Sequence, residues 1–150
     1  MTRSEAGTEY VTVIIDGQLF GLAIGRVQDV FVPERVTRVP LSRPEIAGVL
    51  NLRGRIVTVV DLRRRLGLPP REGGRPMAVG IEWRGESYGL LIDSVGEVMK
   101  LADATLEPNP VNLDPQLARV CAGVHRLDGP LMVVLDVDRL LDADAEAIAA

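Results

Sequence analysis

The residues able to do chemistry are few, and they do not assemble into a catalytic set. His125 is the only histidine of the 150-residue chain, so a His-bearing triad would have to be built around it, and nothing beside it reads as a nucleophile elbow. There is no GxxxxGK[ST], no HExxH, no CxxC and no acidic loop of calcium-binding spacing. No catalytic residue, cofactor or metal site is therefore expected. Asp61 and Asp136 each follow an apolar run and suggest a carboxylate pair. Each also precedes a short segment (Leu62 to Leu66, Val137 to Leu141) whose first turn an aspartate would cap, and capping is the reading adopted. Arg63-Arg64-Arg65 could form a nucleic-acid patch. Leu62 and Leu66 bracket it at i, i+4 spacing, however, so the triplet reads as the solvated face of a short amphipathic turn. Cys121, the single cysteine, sits in an apolar segment as a small buried hydrophobe.

Recognition residues emerge when the chain is laid against itself. At an offset of 68, Gly17/Gly85, Gly21/Gly89, Leu22/Leu90, Ile24/Ile92, Val27/Val95 and Val30/Val98 are identical, with Phe20/Tyr88 and Asp29/Glu97 alike. Chance would supply about one identity in such a window. At an offset of 75, Ala47-Gly48-Val49 matches Ala122-Gly123-Val124, followed by Leu52/Leu127, Gly54/Gly129, Val59/Val134, Asp61/Asp136, Arg64/Arg139 and Leu66/Leu141. Such a repeat means two copies of one supersecondary unit, and a duplicated scaffold gains new chemistry where its copies differ. Arg53 against Asp128 is a charge reversal on a shared Leu-x-Gly frame. A turn arginine with a rigid donor fork beside apolar neighbours suits a protein contact; the alternative is that it only pairs with a nearby acid such as Asp29. Gly89 follows Tyr88 as Gly21 follows Phe20. This marks a close approach, either by the protein's own neighbouring strand or by an external partner.

Short strands must position these residues. Asp16-Gly17 between Tyr10–Ile15 and Gln18–Ile24 is a hairpin signal, because primed turns need positive φ. Arg84-Gly85 repeats it between Pro76–Trp83 and Glu86–Ile92. Further strands are expected over Val27–Val32, Val36–Val39 and Gly96–Leu101. The almost uninterrupted apolar runs Ile56–Val60 and Leu131–Leu135 are expected to be covered on both faces. Residues 69–75 have linker composition. The expectation is an all-β fold: two packed five-stranded antiparallel β-barrels related by duplication, the first over roughly 9–68 and the second over 76–141, with a C-terminal helix over 138–149.

A net charge of −4 and a pI near 5.0 disfavour nucleic acid as the main partner. The aromatics, Tyr10, Phe20, Phe31, Trp83 and Tyr88, are too few and scattered for the stacking platforms of an OB-type nucleic-acid binder, the alternative reading. No apolar run is long enough to span a bilayer and the start lacks signal-peptide character, so a cytoplasmic protein without direct membrane insertion is expected.

The segment Gly48-Val49-Leu50-Asn51-Leu52-Arg53-Gly54-Arg55-Ile56-Val57-Thr58-Val59-Val60-Asp61-Leu62-Arg63 resembles the signature of the bacterial chemotaxis coupling protein family, CheW. The resemblance extends to Phe20-Gly21-Leu22 with Val27-Gln28-Asp29-Val30, to Gly89 through Val95 with Val98, and to Gly123 through Leu141, covering roughly Tyr10 to Leu141. It implies a single CheW-like domain of two barrels. The implied function is that of an adaptor bridging chemoreceptor cytoplasmic tips to the regulatory domain of a CheA-type histidine kinase, recruited to receptor arrays through its partners. Carried over residue by residue, it implies protein-contact roles for Val27, Asp29, Gly48 and Arg53 in the first half and Gly89, Val95 and Val98 in the second. The acidic position held by Asp29 is frequently glutamate in the family.

Overall fold

The computed structural model describes residues 6–142. Two-residue turns form where sequence demands positive φ. Asp16-Gly17 (φ +54° and +75°) joins β1 (Gly7–Ile15) to β2 (Gln18–Ala23), and Arg84-Gly85 (+51° and +79°) joins β6 (Met77–Trp83) to β7 (Glu86–Ile92). Arg53-Gly54 (+53° and +83°) makes a third such turn, between β4 (Ile46–Leu52) and β5 (Arg55–Asp61). The remaining strands are β3 (Val27–Phe31), β8 (Ser94–Ala102), β9 (Cys121–Arg126) and β10 (Leu131–Leu135). Short helices are α1 (Leu62–Arg65), α2 (Pro115–Ala118) and α3 (137–142). Asp61 caps α1 through the Arg63 N–H at 3.0 Å, and Asp136 accepts from the Arg139 N–H at 3.1 Å, as their positions in the repeat suggested. The rest of the expected C-terminal helix lies outside the described residues.

The strands form two five-stranded sheets, ordered β8-β1-β2-β10-β9 and β3-β6-β7-β5-β4. Neither sheet belongs to one half of the chain. The hairpin β1–β2 is flanked by β8 and β10 from the second half, and β6–β7 by β3 and β5 from the first. The expected division into barrels over 9–68 and 76–141 is thus corrected: the halves exchange strands reciprocally. The physical reason is burial, because a unit of about 60 residues covers too little apolar surface alone. Exchange also makes β2–β10 and β5–β7 parallel within otherwise antiparallel sheets, since these neighbours are not joined by a tight turn.

Among the described residues no ladder joins β8 to β9 or β3 to β4. Each gap is crossed instead by a strap. Thr37 exchanges backbone hydrogen bonds with Val49 at 2.8 and 2.9 Å, and Glu107 does the same with Val124. The strand expected over Val36–Val39 is reduced to this one bridge because Pro33, Pro40 and Pro44 interrupt the segment and offer no donors.

The main core lies between the sheets, where Val13, Ile15, Phe20 and Leu22 meet Val60, Leu62, Val79, Ile81, Leu90 and Ile92. Smaller clusters fill each sheet's own concavity: Tyr10, Met132 and Val134 in one, Leu50, Val57 and Val59 in the other. On β10, Val133 and Leu135 face the junction while Met132 and Val134 face inward, so it is covered on both sides as expected. β5 departs from that expectation. Val57 and Val59 point inward, but Ile56 is 63% exposed.

Arg63 also departs from the solvated role. Its side chain is only 14% exposed. Nε and Nη2 donate to the two Asp93 carboxylate oxygens at 3.1 and 2.6 Å, and Nη1 donates to the Pro69 carbonyl at 2.7 Å. Arg71 and the Asp16 N–H donate to the same carboxylate, each at 2.7 Å. The hydrogen bonds from Arg63, more than its charge, hold Asp93 below the usual carboxylate range. This clasp pins the linker against both halves.

Candidate protein-interaction site

The open side of the second sheet, between edge strands β3 and β4, is where sequence-selected residues converge. The chain enters β3 with Val27 opposite Ile81, then a bulge shifts the register so that Asp29 faces Gly80. Gly80 matters because a Cβ there would lie 2.1 Å from the Asp29 Oδ1. Its absence lets the carboxylate fold across β6. From that position Asp29 Oδ2 accepts from Arg53 Nη2 at 2.9 Å. Arg53 sits at the tip of the β4–β5 turn in left-handed backbone, a conformation costing a non-glycine residue roughly 1 kcal/mol. The Gly54 N–H donates to Asn51 Oδ1 at 2.9 Å and steadies the turn.

Arg53 pairs with Asp29, the acid its alternative reading named, and its side chain is still 75% exposed. The pair spans the seam between the edges. On one side lies a hollow of about 240 Å³ lined by Asp29, Phe31, Leu52, Arg53, Val57 and Tyr88. On the other lies one of about 400 Å³ lined by Phe31, Val32, Arg35, Val49, Leu52 and Ile56. Phe31 and Leu52 are common to both, and Val32 (48% exposed) and Ile56 stand at the rim. An exposed cation over apolar hollows with free aliphatic rims has the makeup of a protein contact.

The other expected contact residues divide differently from the halves. Val27 is half-buried and packs on the main core. Gly48 is buried at a bulge of β4 with φ +148°, where a Cβ would lie 2.2 Å from the Thr37 carbonyl oxygen. Gly89 is buried in the second sheet, not on a separate second-half surface. A Cβ there would meet Phe31 at 3.2 Å and Val57 at 3.3 Å, so the close approach is by the protein's own strands. Gly48 and Gly89 therefore shape the seam from below. Val95 and Val98 lie on β8, the long edge strand of the other sheet. Val95 packs on the core and Val98 is 51% exposed.

Two seam residues escaped sequence reasoning. Ile56 was hidden within an apolar run read as doubly covered. Gly80 occupies the position of Thr12 in the repeat, so a glycine inside an apolar strand was the available signal. Gly80→Ala should displace the Asp29 carboxylate and free Arg53 while costing only about 1 kcal/mol of stability. Melting and partner affinity measured on one preparation check this; a large drop in Tm with unchanged affinity would be the contrary result.

The groups that could have done chemistry are committed to the core. Thr105 Oγ1 lies 3.3 Å from Nδ1 of buried His125, and Tyr10 packs edge-on at a centroid distance of 5.7 Å. Burial pushes the imidazole below its usual range. Cys121 is buried as read from sequence, and burial raises its thiol. Among the described residues no three or more His, Cys, Asp or Glu are placed to hold a metal ion. No helix there is long and apolar enough to cross a membrane.

The fold is that of a β-rich domain of two packed five-stranded sheets. The CheW-like domain model matches residues 9–145, and the chain belongs to that family. It is 25% identical over 146 residues to the chemotaxis protein CheW of Bacillus subtilis, spanning 97% of this chain and 94% of that protein. Identity to CheW of Thermotoga maritima is 28% over 134 residues, 89% of this chain and 87% of the relative. The crystal structure of scaffolding protein TtCheW from Thermoanaerobacter tengcongensis matches with a TM-score of 0.81 at 27% identity, over 89% of this chain and 87% of that one. Membership in this family does not favour the OB-type alternative.

Proposed function

We propose that this chain is a non-catalytic chemotaxis adaptor that couples chemoreceptor cytoplasmic tips to the regulatory domain of a CheA-type histidine kinase. It works in the cytoplasm and reaches membrane receptor arrays through its partners. The observation that carries the reading is the seam, where Arg53, oriented by Asp29, stands exposed above apolar hollows rimmed by Val32 and Ile56. The edge strand β8, with Val98 exposed and Val95 half-buried, supports a second, separate surface, as bridging two partners requires. Family membership supports the class of partner, and names of relatives support the pathway.

Arg53→Ala tests the reading. With the anchor gone, affinity for the kinase regulatory domain should fall by about 2 kcal/mol, roughly thirty-fold. Melting should change little, because an exposed pair contributes at most about 1 kcal/mol. Titration calorimetry and thermal melting on the same sample check both. A sharp fall in Tm with unchanged affinity per folded molecule would make Arg53 structural only.

A further inference from the structure

Two ion pairs join the halves at equivalent places in the repeat, with their charges inverted. Position 63 on α1 corresponds to position 138 on α3 at the offset of 75. Arg63 pairs with Asp93, which stands between β7 and β8; Asp138 pairs with Arg26 at 3.0 Å, at the matching junction between β2 and β3. Arg26 and Asp93 lie one residue apart on the offset-68 frame. The hairpin tips carry the same inversion within each half, where it does not bear on the choice of partner: Asp16 lies 3.6 Å from Arg63, while Arg84, its counterpart, pairs with Asp142 on α3 at 2.9 Å.

Consider the pairings that a duplicated unit could make. Two first halves joined by the same strand exchange would set Arg63 against Arg26 of the other copy. Two second halves would set Asp138 against Asp93. Only first with second brings opposite charges together at both junctions. The backbone does not make this distinction, because the exchanged ladders β1–β8 and β3–β6, and β2–β10 and β5–β7, are equivalent in the repeat. Like-charge juxtaposition penalises a wrong partner most at the Arg63–Asp93 junction, where the side chains are only 14% and 21% exposed, and less at the more exposed Arg26–Asp138 junction, where solvent screens it.

We infer that these charge-inverted pairs are the device by which each half accepts the other and rejects a second copy of itself, so that the fold closes within one chain. The inference is independent of what binds the seam.

Two variants of the full chain test it, refolded from denaturant at low and high concentration and sized by chromatography with light scattering. Arg26→Asp with Asp138→Arg keeps opposite charges within the chain but makes both like-half pairings attractive as well. Position 138 also faces Arg84 and Trp83, so the melting temperature of this variant should fall by about 5 °C, less than in the second variant, while the fraction of dimer at high concentration rises roughly tenfold. Arg26→Asp with Asp93→Arg makes only like-half pairings attractive. The melting temperature should then fall by about 10 °C, and dimer should dominate. The expected order of dimer content is therefore the second variant, then the first, then the parent chain as monomer. The inference is overturned if all three refold as monomers. It is also overturned if the second variant merely unfolds while the first refolds as completely to monomer as the parent does, since the pairs would then act as ordinary local contacts.

Discussion

Cut after Arg75, the chain should lose its fold on both sides of the cut. Fragment 1–75 keeps the β1–β2 and β4–β5 hairpins but loses every ladder that flanks them on the exchanged sides. It also forfeits the junction core, where Phe20 and Leu22 pack with Val79, Leu90 and Ile92. Isolated two-stranded hairpins are marginal at best in water, so each fragment should give an unfolded amide spectrum and no cooperative melting. Mixed in equal amounts, the fragments should regain dispersion. A cooperative transition in fragment 1–75 at concentrations where it is monomeric would show the halves to be self-sufficient, against the exchanged topology.

Gly48→Ala should be the most damaging single change at the seam. Its Cβ would lie 2.2 Å from the Thr37 oxygen and 2.8 Å from the Thr37 carbon, both backbone, so no side-chain rotation relieves the contact. The strap must move, losing its two hydrogen bonds to Val49, while φ +148° is itself unfavourable for alanine. A loss of about 3 kcal/mol, or roughly 10 °C in Tm, is expected. Gly123 repeats the geometry, with φ +153° and a Cβ position 2.7 Å from the Glu107 oxygen, so Gly123→Ala should behave alike. Unchanged melting of both variants would mean the straps carry no stability.

These two cases mark what was legible in sequence. The repeat matched Gly48 with Gly123 without saying why, and the Asp-Gly and Arg-Gly turns announced their hairpins because positive φ is a local demand. Strand exchange left no local trace: a hairpin reads the same whichever strand flanks it, so the repeat pointed to two units without revealing that they interpenetrate. Arg63 was misjudged for a related reason. Its spacing on α1 described a helical face, whereas its burial depends on Asp93 arriving from the other half. At the seam, family resemblance and the differences between copies single out Asp29 and Arg53, which the structure brings together as a pair. Ile56 was missed because alternation within an apolar run cannot show which neighbour is absent.

The central proposal, that this chain is an adaptor for a CheA-type kinase, is tested most directly by titrating it with the purified regulatory domain of the CheA-type kinase from the same genome. Binding at roughly micromolar Kd is the predicted result, as befits a transient signalling interface. No heat of binding to that domain or to receptor-tip fragments, together with salt-sensitive binding to DNA or RNA, would contradict it.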